Sequence, residues 1–492
     1  MIATNVKTIT IFGNGLAGLL CAAKLVRILP DEIKLTYVEA SASNKTDIFF
    51  GTTTSPSFYE FLLGLDITEP FLLQNTNTSF SLGTQYKNWG PKHANWTQSF
   101  NRPLPVFNGV NFHHYLTRLK PTTLDLSDIS SFVMAAKAAQ KGVFAHPPNG
   151  QKIPLADLEY GYHISPISSR ESIKSHLKKT PMSWVTADID SVEKENDSIL
   201  SVALSNGQSI TSDFIINALG KGSKLTASAG EFAASNRTLS AISSLDQTKP
   251  MQNVCRTLTG KNYGWQSETP LQNGQHRLTV FDPASEDEAI KDHGVTSNSA
   301  VTINLGRALK PWVGNCLTLG HGAAIVEPLT PAPIMLLERD IDRLAELLPQ
   351  TTKMNIESRE YNRRFQSDYE HAELFSKGFF SPDEVLNSPY WIAANETPHS
   401  DKLTHKIKQF RSRGVHVQYD YEPFTALDWT LLHLGMGRHP ERYDPLAEQV
   451  PTEQLKQQLT QMKMAIDTMA SKMPPHSVYM NGLLKYLKEK HG

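Results

Sequence analysis

The sequence predicts an α/β chain organised on a parallel sheet, and three observations lead there. First, a β-type run from Thr8 to Phe12 enters Gly13-Asn14-Gly15-Leu16-Ala17-Gly18, followed by an Ala- and Leu-rich helical segment that stops near Pro30. Second, a strand from Lys34 to Val38 ends on an acid, Glu39. Third, two later strand-like runs, Asp213 to Gly220 and Trp312 to Ala324, end in glycine or small residues.

Strand, Gly-x-Gly-x-x-Gly, helix, strand, acid is the order an adenine dinucleotide site needs. Gly13 makes the turn off the strand, Gly15 admits a pyrophosphate to the backbone, and Gly18 lets the helix approach the sheet. With Leu16 and Ala17 these residues form the helix N-terminus, where unpaired N–H groups and the macrodipole favour an anion. Glu39 would accept a hydrogen bond from the adenosine ribose. The bland alternative is an ordinary glycine-rich turn. Lys7 ahead of an apolar run also suggests a signal peptide; three spaced glycines and the second strand argue against one.

The 492 residues allow two to four domains, or one enzyme core with insertions. The expected division is a cofactor-binding domain over 1–350, with substrate inserts at about 52–160 and 225–300, and a mostly helical region over 351–492 packed on it. A net charge of −1 offers no basic field for nucleic acid. No apolar run reaches spanning length, so no membrane is expected as a partner. Cys21, Cys255 and Cys316 are odd in number and far apart, so neither a disulfide framework nor a zinc pattern is expected, and a cytoplasmic location fits best.

Along the chain, Gly51 leads into Thr52-Thr53-Thr54-Ser55-Pro56-Ser57, whose hydroxyls and N–H groups either meet a ligand or cap the helical run Phe58–Leu63. Phe80 to Trp89 alternates and predicts one strand. A helix should start at Phe112. His113 and His114, being adjacent, should point to different faces, which argues against a metal pair. After a helix around Ser169–Lys179, runs at Ser191–Glu193, Ile199–Leu204 and Asp213–Gly220 predict a meander with a buried last strand. Gly320 and Ile334 bracket a strand-to-helix turn where small residues permit a ligand's close approach, ahead of a Met335–Leu348 helix. Leu455, Leu459, Met462, Ile466, Met469 and Met473, spaced 4, 3, 4, 3, 4, form a seam that packs on the parent domain or, alternatively, in a homodimeric coiled coil.

These motifs, in this order, resemble the flavin-dependent tryptophan halogenase family nearly end to end. The resemblance rests on the Gly13–Gly18 turn with Glu39, the Gly51–Ser57 loop, the Phe80–Trp89 strand, Phe112-His113-His114 and Tyr162-His163. It continues through Tyr263-Gly264-Trp265 with Pro270, Trp312 with Asn315-Cys316, Val326-Glu327-Pro328-Leu329, Gly437–Pro445 and Met473-Pro474-Pro475-His476. It implies a two-dinucleotide-type, Rossmann-like FAD domain with a β-rich insert and a helical C-terminal part. The cofactor-binding residues would be Gly13, Gly15, Leu16, Ala17, Gly18, Glu39, Thr52, Thr53, Thr54, Gly320 and Ile334. It also implies reduced FAD from a separate flavin reductase, a C4a-hydroperoxyflavin that oxidises halide, and a catalytic lysine beside a small aromatic or peptide-bound aromatic substrate.

The chain departs from that pattern at the chemistry. The family's lysine position falls on Ser81, and a serine can neither form a haloamine nor act as a cationic donor. The family's glutamate position falls on Thr330 and the neighbouring serine's on Pro331. The threonine-glycine pair that binds halide aligns with Ala332 and Pro333, and proline has no N–H. The family's double-tryptophan motif is reduced to Trp265, Ser267, Thr269 and Pro270. The catalytic residues are therefore not identified; His321, which would titrate near neutrality, and Glu327 are the candidates, each with a packing role as the alternative. No second Gly-x-Gly-x-x-Gly offers an NADPH site. Three readings follow: a monooxygenase-type or diverged halogenase reaction on an indole-like aromatic; a non-catalytic FAD-binding or partner-binding protein; and a halogenase with relocated catalytic residues.

Overall fold

β1 (Thr8–Gly13), α1 (Leu16–Ile28) and β2 (Lys34–Glu39) form where the sequence places them. The structure is a computed structural model that describes residues 4–41, 44–89, 94–120, 126–227, 230–295, 300–380, 388–396 and 399–491. β1 is buried on both faces, as a central strand of a parallel sheet must be. It pairs in parallel with β2 on one side and with Phe214–Ala218 on the other. The full order runs Trp312–Val313, Cys316–Thr318, Phe214–Ala218, β1, β2, Ser183–Thr186. Gly13 lies level with Ala218 and with Glu39, so the turn after β1, the turn after Ala218 and the end of β2 share one edge of the sheet. That edge is where ligands bind in open α/β sheets.

Two expectations about strands are corrected. The Phe80–Trp89 run is two strands, β3 (Ser79–Ser81) and β4 (Gly83–Lys87). β3 pairs with Gly161–His163, whereas β4 joins an eight-stranded sheet between Arg256–Lys261 and Trp96–Ser99. The chain changes sheets at Gly83, where φ is +128° and a Cβ would lie 2.1 Å from the Gln98 carbonyl. Alternation shows burial but not a change of partner. The meander likewise divides: Ile189–Glu195, Ser198–Leu204 and Ser209–Ile210 make their own small sheet, and Phe214–Ala218 joins β1.

The eight-stranded sheet, built mainly of Phe232–Asp246, Arg256–Lys261, Gly264–Leu271, Gly274–Phe281 and Val301–Ala308, packs Leu239, Leu258 and Leu278 against Phe375, Trp391 and Trp429 of later helices. A larger core joins β1 and α1 to residues as distant as Leu455 and Ile466. The Ala332–Glu346 helix stands between these two cores, giving Ile334, Leu337 and Ile341 to one and Ala332, Met335 and Leu336 to the other. The Thr452–Lys472 helix packs its seam on its own chain, with Lys137 pairing to Asp467 at 3.1 Å. Among the described residues, no helix is long and apolar enough to cross a membrane.

Candidate functional site

At the glycine turn, Gly13 and Gly18 face each other. A Cβ on either would come within 3.4 Å of the other's Cα and within 3.1 Å of the Tyr37 hydroxyl. Close packing of α1 on the sheet therefore requires both glycines. Gly15 opens the helix N-terminus, but an anion of the chain's own stands there. The Leu16 N–H donates to Asp47 Oδ2 at 3.0 Å, and a Cβ on Gly15 would lie 2.8 Å from Asp47 Oδ1. Asp47 is buried, with Arg170 3.9 Å away, and burial pushes its carboxyl up to about 6. The Lys45–Phe50 turn carries it, with Phe50 stacked on His321 at 3.9 Å. Beyond it lies a groove of about 610 Å³ bordered by Ala40, Gly220, Lys221 and His321.

Glu39 is at the end of β2, as expected, but it is already engaged by Lys174 and by Trp184 Nε1–H at 3.0 Å. Burial raises its pKa; these hydrogen bonds outweigh burial and hold the carboxyl below its ordinary range. Gly320 adopts φ +62° and sits against α1, where a Cβ would meet the Ala17 methyl at 2.6 Å. Ile334 is buried in its helix.

The threonine hydroxyls are turned inward, onto other groups of the chain. Thr52 shares a hydrogen bond with Thr269 at 2.6 Å, Thr53 with Ser81 at 3.2 Å, and Thr54 accepts from the Tyr162 N–H at 2.9 Å. Ser81 is fully buried. His321 is also corrected: burial pushes its imidazole down to about 3, so it is neutral at physiological pH. Glu327 is buried and accepts from Arg237 at 2.8 Å, Trp265 at 2.8 Å and Tyr390. Three donors on one carboxylate clamp the turn that follows. His113 and His114 do not diverge; their rings lie 4.3 Å apart, with His113 on the Gly414 carbonyl and His114 accepting from the Asp444 N–H. No metal-binding group occurs among the described residues.

The Thr330–Pro333 turn offers little to an anion. The Ala332 N–H donates to Thr330 Oγ1 at 3.2 Å, and Pro331 and Pro333 have no N–H. Beneath it is a residue that the motifs did not reveal, Arg256. It is completely buried and donates to the Pro328 and Leu329 carbonyls and to Thr84 Oγ1 at 3.3 Å. Burial lowers its pKa. Tyr86 donates to the same Leu329 carbonyl at 2.7 Å. A cavity of about 600 Å³ opens on the turn, bounded by Thr330, Ala332, Thr84, Tyr86, Phe424 and Glu338. Glu338 is 4 % exposed; its Oε2 accepts from Ser57 at 2.9 Å, and its Oε1 has no hydrogen-bond partner among the described residues. Sequence signals could not find it, because it reads as one polar residue on an amphipathic helix.

A parallel sheet with a Gly-x-Gly-x-x-Gly turn at its ligand edge defines a dinucleotide-binding α/β protein. Residues 8–452 match the tryptophan halogenase family model, and the chain belongs to that family. Tryptophan 6-halogenase ThaL of Streptomyces albogriseolus is 22% identical over 83% of this chain and 82% of its own length. Among solved structures, BrvH, a flavin-dependent halogenase from Brevundimonas sp. BAL3, superposes with TM-score 0.88 at 22% identity, covering 97% of this chain and 99% of BrvH. Xcc4156, a flavin-dependent halogenase from Xanthomonas campestris, gives 0.84 at 23% identity over 97% and 98%. The cofactor implied by family membership is FAD.

The residues fit an anionic dinucleotide in kind. Asp47 stands in for a phosphate oxygen on the Leu16 N–H, which identifies that helix end as an anion site. The Asp47 carboxylate holds the Leu16 N–H that would face a pyrophosphate.

Proposed function

We propose that this chain is an FAD-dependent oxidoreductase that inserts oxygen into an aromatic, indole-like substrate held in the Thr330-side cavity. The observation that carries this reading is the Thr330–Pro333 turn, in which two of the four residues are prolines without an N–H and the Ala332 N–H is spent on Thr330. A halide there would lose the N–H groups of three of the turn's four residues, and a poorly compensated anion away from water is costly. Ser81, sealed in the wall, supplies no lysine to relay a halogen.

FAD would be held by the Gly13–Gly18 turn, with Lys221 and Gly220 along the groove and Glu39 at the ribose end. When bound, and reduced by a separate flavin reductase, it supplies the two electrons that activate oxygen. One oxygen atom enters a ring C–H, the other leaves as water, and the displaced proton ends in that water. Tyr86 and Phe424 would hold the aromatic ring, and the Glu327 clamp would keep the Thr330 turn rigid beside it.

The test supplies reduced FAD, oxygen and a panel of indoles, with and without chloride or bromide, and reads products by mass spectrometry. One added oxygen, independent of halide, is the expected result; a halide-dependent halogenated product overturns it. Asp47 on the pyrophosphate site favours a second reading, a non-catalytic or partner-binding protein that keeps the fold. A colourless, oxygen-inert preparation that takes up no FAD would support that one.

A further inference from the structure

The Asp401–Arg413 and Ala426–Gly435 helices are joined by residues 414–425, which carry neither helix nor strand. Pro423, Phe424 and Thr425 form part of the wall of the 600 Å³ cavity, with Phe424 stacked on Phe375 at 4.0 Å. A segment without its own ladder opens easily unless side chains hold it. Two groups of side chains hold this one. The first is a buried ion pair: Lys406 meets Glu422 at 2.8 Å, with side chains 3% and 1% exposed, and also donates to the Val417 carbonyl. Glu422 accepts in addition from the Tyr419 N–H at 3.1 Å and from Trp429 Nε1–H at 2.6 Å.

The second is a set of imidazoles around the fully buried Phe410. His416 of the segment lies 5.0 Å from His113, whose ring is 4.3 Å from that of His114. Phe410 stacks on His433 at 4.3 Å and lies 5.2 Å from His416. The hydrogen bonds suit neutral rings. His113 Nε2 donates to the Gly414 carbonyl at 2.7 Å, and His416 Nε2 to Thr430 Oγ1 at 2.9 Å, which itself donates to the Ala426 carbonyl. His433 is buried, and its Nδ1 has no hydrogen-bond partner among the described residues, so a proton added there would find no acceptor.

The charges that face the rings set the sign. Lys406, from the Asp401–Arg413 helix, and Arg438, beyond the Ala426–Gly435 helix, are cations that disfavour a charged ring. Asp444 faces His114, and Glu422 is engaged by Lys406. Burial first, and then neighbouring imidazoles and cations, push His113 down to about 4 and His416 to about 3, and hold His433 well below its ordinary value. Asp428, in the first turn of the Ala426–Gly435 helix, is raised chiefly by burial and acts in the opposite direction.

We propose that residues 414–425 are an acid-released wall of the cavity, latched while His113, His416 and His433 are neutral and let go when these rings take up protons. The inference concerns access to the cavity and holds whatever reaction takes place there. In the released segment the rings meet water and regain an ordinary pKa of about 6.5. Falling pH therefore favours release from about 6.5 downward, by up to three protons against the one that Asp428 takes up on closing.

Hydrogen exchange of the full chain, read by mass spectrometry and corrected for the intrinsic rate at each pH, measures the opening of each peptide. From pH 7 to pH 5 the opening constant of 414–425 should rise at least about a hundredfold, while peptides of β1 and α1 stay protected. His113→Gln combined with His416→Gln keeps neutral donors in place at every pH and should cut the rise to about tenfold or less. No rise, an equal rise in β1 and α1, or a rise that persists in the double variant would each overturn the proposal. If the variant folds poorly, exchange of the imidazole Cε1–H in the unmutated chain decides. The three rings should titrate well below about 6.5, and midpoints at that value would overturn the latch.

Discussion

The glycine turn after β1 and the Thr330 turn before the Ala332–Glu346 helix are both strand-to-helix junctions, yet they are built from different material. The first is backbone: Gly13 and Gly18 press together, and a helix N-terminus faces an anion. The second depends on side chains, those of Thr330, Pro331, Ala332 and Pro333, and its two prolines have no N–H. Backbone geometry persists as long as the glycines do. Side-chain chemistry changes one residue at a time, so the two turns can carry divergent histories within one chain.

Substitutions can break this contrast, and the largest effect is expected at the first turn. Gly15→Val places a branched side chain where Asp47 now stands and where a pyrophosphate must sit, so flavin binding should be abolished. Flavin absorbance retained at wild-type stoichiometry would show that the turn is not the cofactor site. Next, Glu327→Ala leaves the Arg237 guanidinium buried without its carboxylate and should cost on the order of 4 kcal/mol, seen as a clear drop in melting temperature. An unchanged melting temperature would mean that the clamp does not hold the second turn.

Ser81→Lys tests the side-chain turn from the other direction. The position is completely buried beside Thr53, so a lysine there should cost about 3 kcal/mol and still yield no halogenated tryptophan. Halogenated product from that single variant would show that halide capture does not depend on the Thr330–Pro333 turn.

The smallest expected effect sharpens the comparison. Asp47→Asn removes the competing charge from the α1 N-terminus and should tighten FAD by about tenfold, measured by flavin titration. In the unmutated chain the affinity should rise as pH falls from 7 to 5, since Asp47 titrates at about 6 and repels pyrophosphate only when ionised. That rise should be absent in Asp47→Asn. The sign for stability agrees. An acid whose folded pKa is raised binds a proton on folding between about 4 and 6, so the flavin-free protein gains stability as pH falls through 6.

By itself the sequence determined the β1–turn–α1–β2 unit, the Phe58–Leu63 helix, and the Thr452–Lys472 helix that lies along its own chain. Each is encoded locally, by spacing within a few turns or a few pleats, and by glycines whose missing Cβ has a purely local consequence. Only the tertiary structure decided where Phe80–Trp89 divides, because the partners that separate β3 from β4, Gly161–His163 and Arg256–Lys261, lie far away in sequence. It also decided that Asp47 caps α1, that Arg256 lies beneath the Leu329 carbonyl, and that Glu338 meets a cavity with one oxygen unpaired. A buried charge is defined by what surrounds it, and those surroundings come from distant segments that no local pattern records.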